Sequence, residues 1–308
     1  MPTADQQVQS AQPNSKPFVW IQSEARQSSH ATFHQPFRDP ASANDSSTFP
    51  LDGQDLTSVS DEALIALYDT APIIYEFGST RVVRISRTLA LKGGNSVLPC
   101  EAQNMSFAAA HTSIPVPKVH RTTCFIVMDY IQGVCLSECW DSLDIASRSD
   151  ITSRVASMIQ ELESVSVQAP GPIGGTESRF RGMWFSVYGA GPFATIQKLE
   201  DWFNHKIDVC ERFNQPIAGT PRFKFDRLVL THQDITPCNF ILGRDGQLWL
   251  VDWAASGGYP PGFERAAIAL QLHHPDFGAE VCAKITDYPT VVMQRRAISF
   301  GLTTGALC

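Results

Sequence analysis

The 308-residue chain contains no apolar run long enough to cross a bilayer. Its N-terminus carries neither an apolar signal core nor an arginine-rich transit pattern, so the cytoplasm is the expected default location. None of its eight cysteines forms a C-x-x-C pair, and free thiols in a reducing compartment are expected instead of a disulfide framework. Basic residues are outnumbered, 24 Lys and Arg against 31 Asp and Glu, and they form no stripe. The electrostatic footprint of a nucleic-acid binder is therefore missing. With a net charge of −7, the overall field repels polyanions, so an anionic ligand needs cations gathered locally.

What is present suits a globular protein with a sizeable core: 43% hydrophobic residues and 18% charged. The length fits one large domain or two smaller ones joined through a cleft. Residues 1–50 are rich in Gln, Ser, Pro, His and Ala and read as a flexible N-terminal extension. From Ser60 the texture changes. Ser60-Asp61-Glu62 begins a helix with Leu64, Leu67 and Tyr68 on one face. Ile73–Phe77, a Gly78-Ser79-Thr80 turn and Arg81–Ile85 read as strand, turn, strand, with a third strand at Leu89–Lys92. A helix from Glu101 to Ala110 follows, then strands at Val116–Val119 and Cys124–Tyr130. After Gly133 the periodicity is helical: Asp150 caps a helix bearing Ile151, Val155, Ile159 and Leu162, and Ile196–Ile207 carries a second. A small β-rich part thus precedes a larger helical one.

The chemistry concentrates in Leu228–Trp253. Leu228–Leu230 is a short buried strand, residues 231–238 a loop stiffened by Pro237, and Phe240–Leu242 and Leu248–Val251 two strands joined by a turn containing Asp-Gly. This layout brings Asp234, Asn239 and Asp252 to one end of a small hairpin. Two carboxylates and an amide oxygen suit phosphoryl transfer: one carboxylate orients an acceptor hydroxyl and takes its proton, while hard oxygens hold Mg²⁺ against phosphates. Asp234 fits the first role, and Asn239 with Asp252 the second. His232 reads as a brace for the loop.

His232-x-Asp234 with Asn239, followed by a strand-borne Asp252-Trp253, resembles the catalytic loop and metal-binding carboxylate of protein kinases. The His-Gln-Asp form and the Asp-Trp pair look more like the aminoglycoside phosphotransferase and choline-kinase-like superfamily. The resemblance spans roughly residues 70–300. It implies an α+β, protein-kinase-like two-lobe fold: an N-lobe over 51–130 that binds nucleotide and a C-lobe over 131–308 carrying the catalytic loop, metal and acceptor sites. It implies ATP and Mg²⁺ as cofactors and a hydroxyl of a small molecule as acceptor. By the same resemblance Lys92, paired with Glu101, grips the phosphates, and the backbone around Met128, Asp129 and Tyr130 reads the adenine edge.

The chain departs from the kinase pattern in two places. It lacks a G-x-G-x-x-G loop, leaving Ser79 in the first hairpin turn as the candidate phosphate contact. Gln233 stands where many regulated protein kinases carry arginine, and the segment after Trp253 is short, which favours a small acceptor over a protein. Aromatics in Arg179–Pro192 read equally as an acceptor wall or as core. Two other functions stay open: a nucleotide- or partner-binding module without chemistry, and the same fold turned to another reaction on a natural product.

Overall fold

The computed structural model describes residues 48–95, 97–174, 179–180, 182–185, 188–215 and 219–306, which lie within one compact unit, residues 35–308. Nearly all of the expected N-terminal extension falls outside the described residues, as do Arg181, Ser186 and Val187 of the aromatic stretch.

The first helix (α1, Asp61–Thr70) starts where the sequence predicts. The Ser60 hydroxyl accepts from the Ala63 amide at 3.2 Å, and Asp61 and Glu62 place negative charge in the first turn. Leu64 faces inward and joins Leu51, Val83, Ile85, Leu91 and Val127 under the outer face of an antiparallel sheet. That sheet has five strands in the order β1-β2-β3-β5-β4: β1 Ile73–Phe77, β2 Thr80–Arg84, β3 Leu89–Gly93, β4 Val119–Thr122 and β5 Ile126–Asp129. Its other face carries Ile74, Val82, Ala90 and Tyr130. Between β3 and β4 the chain forms α2 (Pro99–His111). Strand β4 begins at Val119, three residues later than the sequence suggests. Pro115 and Pro117 lack the N–H a ladder needs, and the Pro115 carbonyl instead accepts from the Leu250 amide at 2.9 Å.

Past the sheet, Gly133–Cys135 forms a strand (β6), where the sequence reads as helix. It pairs antiparallel with β9 (Phe240–Gly243), which pairs with β10 (Leu248–Leu250). A Cβ at Gly133 would lie 2.4 Å from the Leu242 carbonyl oxygen, so glycine is what permits this approach. A single turn (α3, Leu136–Cys139) leads to the long α4 (Ile145–Ser164). Asp144, not Asp150, caps α4: its Oδ1 accepts from the Ser147 amide at 2.7 Å. The first turn faces solvent, with Ile145 88% exposed, so no apolar period marks it and the sequence places the start too late.

A third small sheet orders β7 (Ser166–Val167), β8 (Leu228–Thr231) and β11 (Gly257–Tyr259) as β11-β8-β7. The remaining helices are α5 (Ile196–Arg212), α6 (Phe263–Ala269), α7 (Pro275–Cys282), α8 (Pro289–Ala297) and α9 (Ser299–Leu302). Phe180, Trp184 and Phe185 enter an aromatic core with Phe203, Phe223, Tyr259 and Phe263, and Trp184 stacks on Phe263 at 3.6 Å between ring centres. Core packing therefore accounts for these three rings of the aromatic stretch, while Tyr188 is exposed. The architecture is α+β, a β-sheet followed by a mostly helical part, and no helix among the described residues is long and apolar enough to cross a membrane.

Candidate active site

Strand β8 delivers the chain into a loop whose backbone is clamped from below. The buried Glu264, at the start of α6, accepts the His232 amide at 2.6 Å and the Gln233 amide at 2.9 and 3.1 Å. Burial pushes its carboxyl up to about 7, against the two amides that favour the ionised form; Asp234 and Glu163 add to the rise. Gln233 takes a left-handed backbone, φ +66°, which turns the chain sharply before Asp234.

His232 is fully buried and held at both ring nitrogens. Nε2 lies 3.1 Å from the Val251 carbonyl, and Nδ1 lies 3.3 Å from the Asp234 amide. A carbonyl needs a donor and an amide needs an acceptor, so Nε2 carries the proton and the ring is neutral. Burial lowers its pKa to about 4, which keeps it so. The ring ties the loop to the end of the β9–β10 hairpin. Asp234 is fixed by Asn239, whose Nδ2 donates at 2.8 Å both to the Asp234 carbonyl and to its Oδ2. Burial and then the charge of Asp252 raise the Asp234 carboxyl to about 6, with Asn239 and Lys92 opposing.

Asp252 follows β10 in a left-handed conformation, φ +63°. Its Oδ1 accepts from Lys92 Nζ at 2.9 Å, and the same ammonium donates to Glu101 Oε1 at 2.6 Å. Lys92 thus spans β3, α2 and the hairpin. Burial works against its charge, but Asp252 and Glu101 outweigh it and hold the ammonium above its ordinary pKa. Burial also works to raise Asp252, and Lys92 reverses that, so its carboxylate stays ionised. Glu101 is 1% exposed and burial dominates there, raising its carboxyl despite Lys92. Asn104, one turn further along α2, binds the Trp253 and Ser256 carbonyls at 2.9 Å each and locks the helix against the segment after Asp252.

The structure therefore gathers Lys92, Glu101 and Asp252 in one contact set and Asp234 with Asn239 in another, and the charges of Asp252 and Lys92 both act on Asp234. Ser79 is exposed in the β1–β2 turn, where its backbone carbonyl abuts Gly94. Met128 is partly buried under the sheet. The Asp129 and Tyr130 amides, expected to face a nucleobase, donate at 3.0 and 2.8 Å to the carbonyls of Lys118 and Thr88. The Asp129 carboxylate turns away to the Lys118 amide and His120. Those two N–H groups are thus spent on the protein itself.

No family model matches the chain, and no curated protein matches it in sequence. Solved structures do. ADP-bound aminoglycoside phosphotransferase APH(2'')-Ib aligns with a TM-score of 0.52 at 14% identity, over 78% of this chain and 86% of its own. A streptomycin–ATP complex of APH(2")-IIa aligns with a TM-score of 0.50 at 14% identity, over 78% and 88%. The fold is that of the aminoglycoside phosphotransferases. Identity this low establishes the fold alone; the chemistry rests on the residues.

Within this phosphotransferase fold, the residue that sequence reasoning misses is Glu264. The only local signal is an acid in the first turn of a short helix, which is common at any helix start. Its role depends on packing under a loop whose nearest amide partner lies 31 residues earlier.

Proposed function

We propose that the chain is an ATP- and Mg²⁺-dependent phosphotransferase that transfers a phosphoryl group to a hydroxyl of a small molecule, with Asp234 as the catalytic base. One observation carries this reading: a single buried lysine reaches both Glu101 and Asp252, while Asp234 is held beside them by Asn239. A structural ion pair needs one carboxylate partner. A second, borne on a left-handed residue and 37% exposed at its side chain, suits a group that also faces a ligand.

The residues fit a bound Mg²⁺. Asn239 spends its Nδ2 on Asp234, which leaves the carboxamide oxygen, and Asp252 offers a carboxylate; both are hard oxygen donors of the kind Mg²⁺ takes alongside phosphate and water. Bound there, the ion would neutralise charge developing on the phosphate oxygens. Lys92 supplies a local cation within a chain of net charge −7. The Asp234 carboxylate orients the acceptor hydroxyl. Its oxygen takes the hydroxyl proton as the acceptor oxygen bonds to phosphorus and the bond to the ADP oxygen breaks. A carboxyl near 6 remains mostly ionised at neutral pH and is a better proton acceptor than an exposed aspartate.

The small-molecule acceptor is supported by the short segment between Trp253 and α6, which leaves little chain for a peptide-docking platform. The two aligned structures bear on this point as well, since one is an aminoglycoside phosphotransferase with ADP and the other holds streptomycin with ATP. The test is a phosphorus-NMR screen with Mg-ATP and pooled hydroxylated and amino metabolites. A new phosphomonoester resonance with stoichiometric ADP is the expected result. Nucleotide binding without transfer to any pool would favour a binding module, and no nucleotide binding would overturn the reading.

A further inference from the structure

Strand β1 breaks the ladder of the five-stranded sheet once. Ile73 pairs with Val83, but Tyr75 pairs with Val82, so two residues of β1 advance against one of β2 and Ile74 is the extra residue of a bulge. Strand side chains alternate between faces, so this single insertion decides where Tyr75 points. In an unbroken ladder Tyr75 would stand opposite Arg81, on the outer face with Val83. The bulge puts it opposite Val82 instead, and its ring packs against the cluster of Ile74, Val82, Ala90 and Tyr130.

The row continues across the sheet. Val82 pairs with Lys92, so Tyr75, Val82 and Lys92 lie side by side on one face of three neighbouring strands. Strands are spaced ~4.8 Å apart, which sets the Tyr75 and Lys92 backbones roughly 10 Å apart. Lys92 points from this face to Asp252. The ionisable groups that act on the Tyr75 hydroxyl are Asp252, Lys92, Cys238 and Asp234, that is, the hairpin, the β3 lysine and the catalytic loop together. Burial and then Asp252 push its phenol up to about 12, so at neutral pH it is a hydrogen-bond donor that adds no negative charge beside two carboxylates.

We propose that Tyr75 is a phosphate-contacting residue: from the sheet face above the carboxylates, its hydroxyl donates to a phosphate oxygen of the bound nucleotide, a task that backbone amides of a glycine-rich turn perform elsewhere. The inference rests on the nucleotide reading above and adds to it a ligand that neither motif nor spacing marks. A neutral donor in line with the lysine ammonium suits an oxyanion held between Lys92 and Asp234. Tyr75→Phe separates this from packing, because the ring and its contacts remain.

The test measures affinity for Mg-ATP and for adenosine by competition against a fluorescent ATP analogue, in wild type and Tyr75→Phe. Loss of one hydrogen bond to a charged group lowers affinity ~10-fold or more. The expected result is that loss for Mg-ATP, adenosine affinity within about twofold, and an unchanged melting temperature. Equal Mg-ATP affinity in the two proteins would overturn this inference while leaving the nucleotide reading intact. Equal weakening of ATP and adenosine would also overturn it, since the ring alone would then be at work. Absence of Mg-ATP binding by the wild type would overturn both.

Discussion

Lys92 Nζ and Asp252 Oδ1 stand 2.9 Å apart although 160 positions separate them in the chain. The contact joins the β-sheet to the hairpin that carries the candidate metal ligands, and it leaves Glu101 dependent on the same ammonium. Removing one member of a buried pair strands the other. Lys92→Met is expected to lower unfolding free energy by ~3 kcal/mol in urea titration. Adding Glu101→Gln should recover most of that loss without restoring nucleotide binding. A Lys92→Met protein as stable as wild type would show that Glu101 is neutralised by protonation rather than by the lysine.

Asp234→Asn and Asp252→Asn remove the proposed base and a proposed metal ligand. Each should cut the transfer rate by at least ~100-fold, since general-base catalysis alone supplies ~10²–10⁴. Circular dichroism should show both variants folded, with the melting temperature of Asp234→Asn close to wild type. Turnover near the wild-type rate in either variant would remove that residue from the mechanism.

Glu264 ties stability to pH. Its folded pKa of about 7 lies above the ordinary glutamate value, so between roughly 4.5 and 7 the folded protein holds a proton that the unfolded chain has released. The stabilising contribution is full below that window and is lost as pH rises through about 7. Melting temperatures of wild type and Glu264→Gln, taken from pH 5 to 8, should show the wild type losing stability relative to the variant as pH rises, by on the order of 2–3 kcal/mol. A constant difference across the range would mean that the carboxyl titrates normally.

Gly94, just past β3, packs against the β1–β2 turn. Its φ is +120°, and a Cβ there would lie 1.7 Å from the Ser79 carbonyl oxygen, so Gly94→Ala meets both backbone strain and a backbone clash. The substitution should cost about 1–3 kcal/mol in stability and weaken Mg-ATP binding if the β1–β2 turn contributes to it. Binding and denaturation measured on one preparation separate the two effects. Weaker binding at unchanged stability would place the turn in the site, and the reverse pattern would make it structural only.

Much of the sheet and the β9–β10 hairpin was legible from residue patterns, because both are written locally. Alternation, the Asp-Gly turn and the offsets among His232, Asp234, Asn239 and Asp252 span a few residues each, and Ser60 marks its helix by a single cap. The misplacements share a cause. The start of α4 lies on a solvent face without apolar periodicity, and β6 is too short to show alternation; its pairing with β9 is what makes it a strand. The Asp129 and Tyr130 amides looked available because their acceptors, Lys118 and Thr88, belong to neighbouring segments.

Sequence alone determined which side chains the proposed reaction has to work with: a lysine on a strand, a glutamate on the next helix, and two carboxylates with an amide at loop spacing. Tertiary structure decided which of them meet. Packing of α2 against the segment after Asp252 and burial of Glu264 beneath the loop pair residues far apart in the chain, while a one-residue bulge within a hairpin turns Tyr75 inward. Such pairings are set by burial and by the need of buried polar groups for partners, and neither is expressed in the spacing of neighbouring residues.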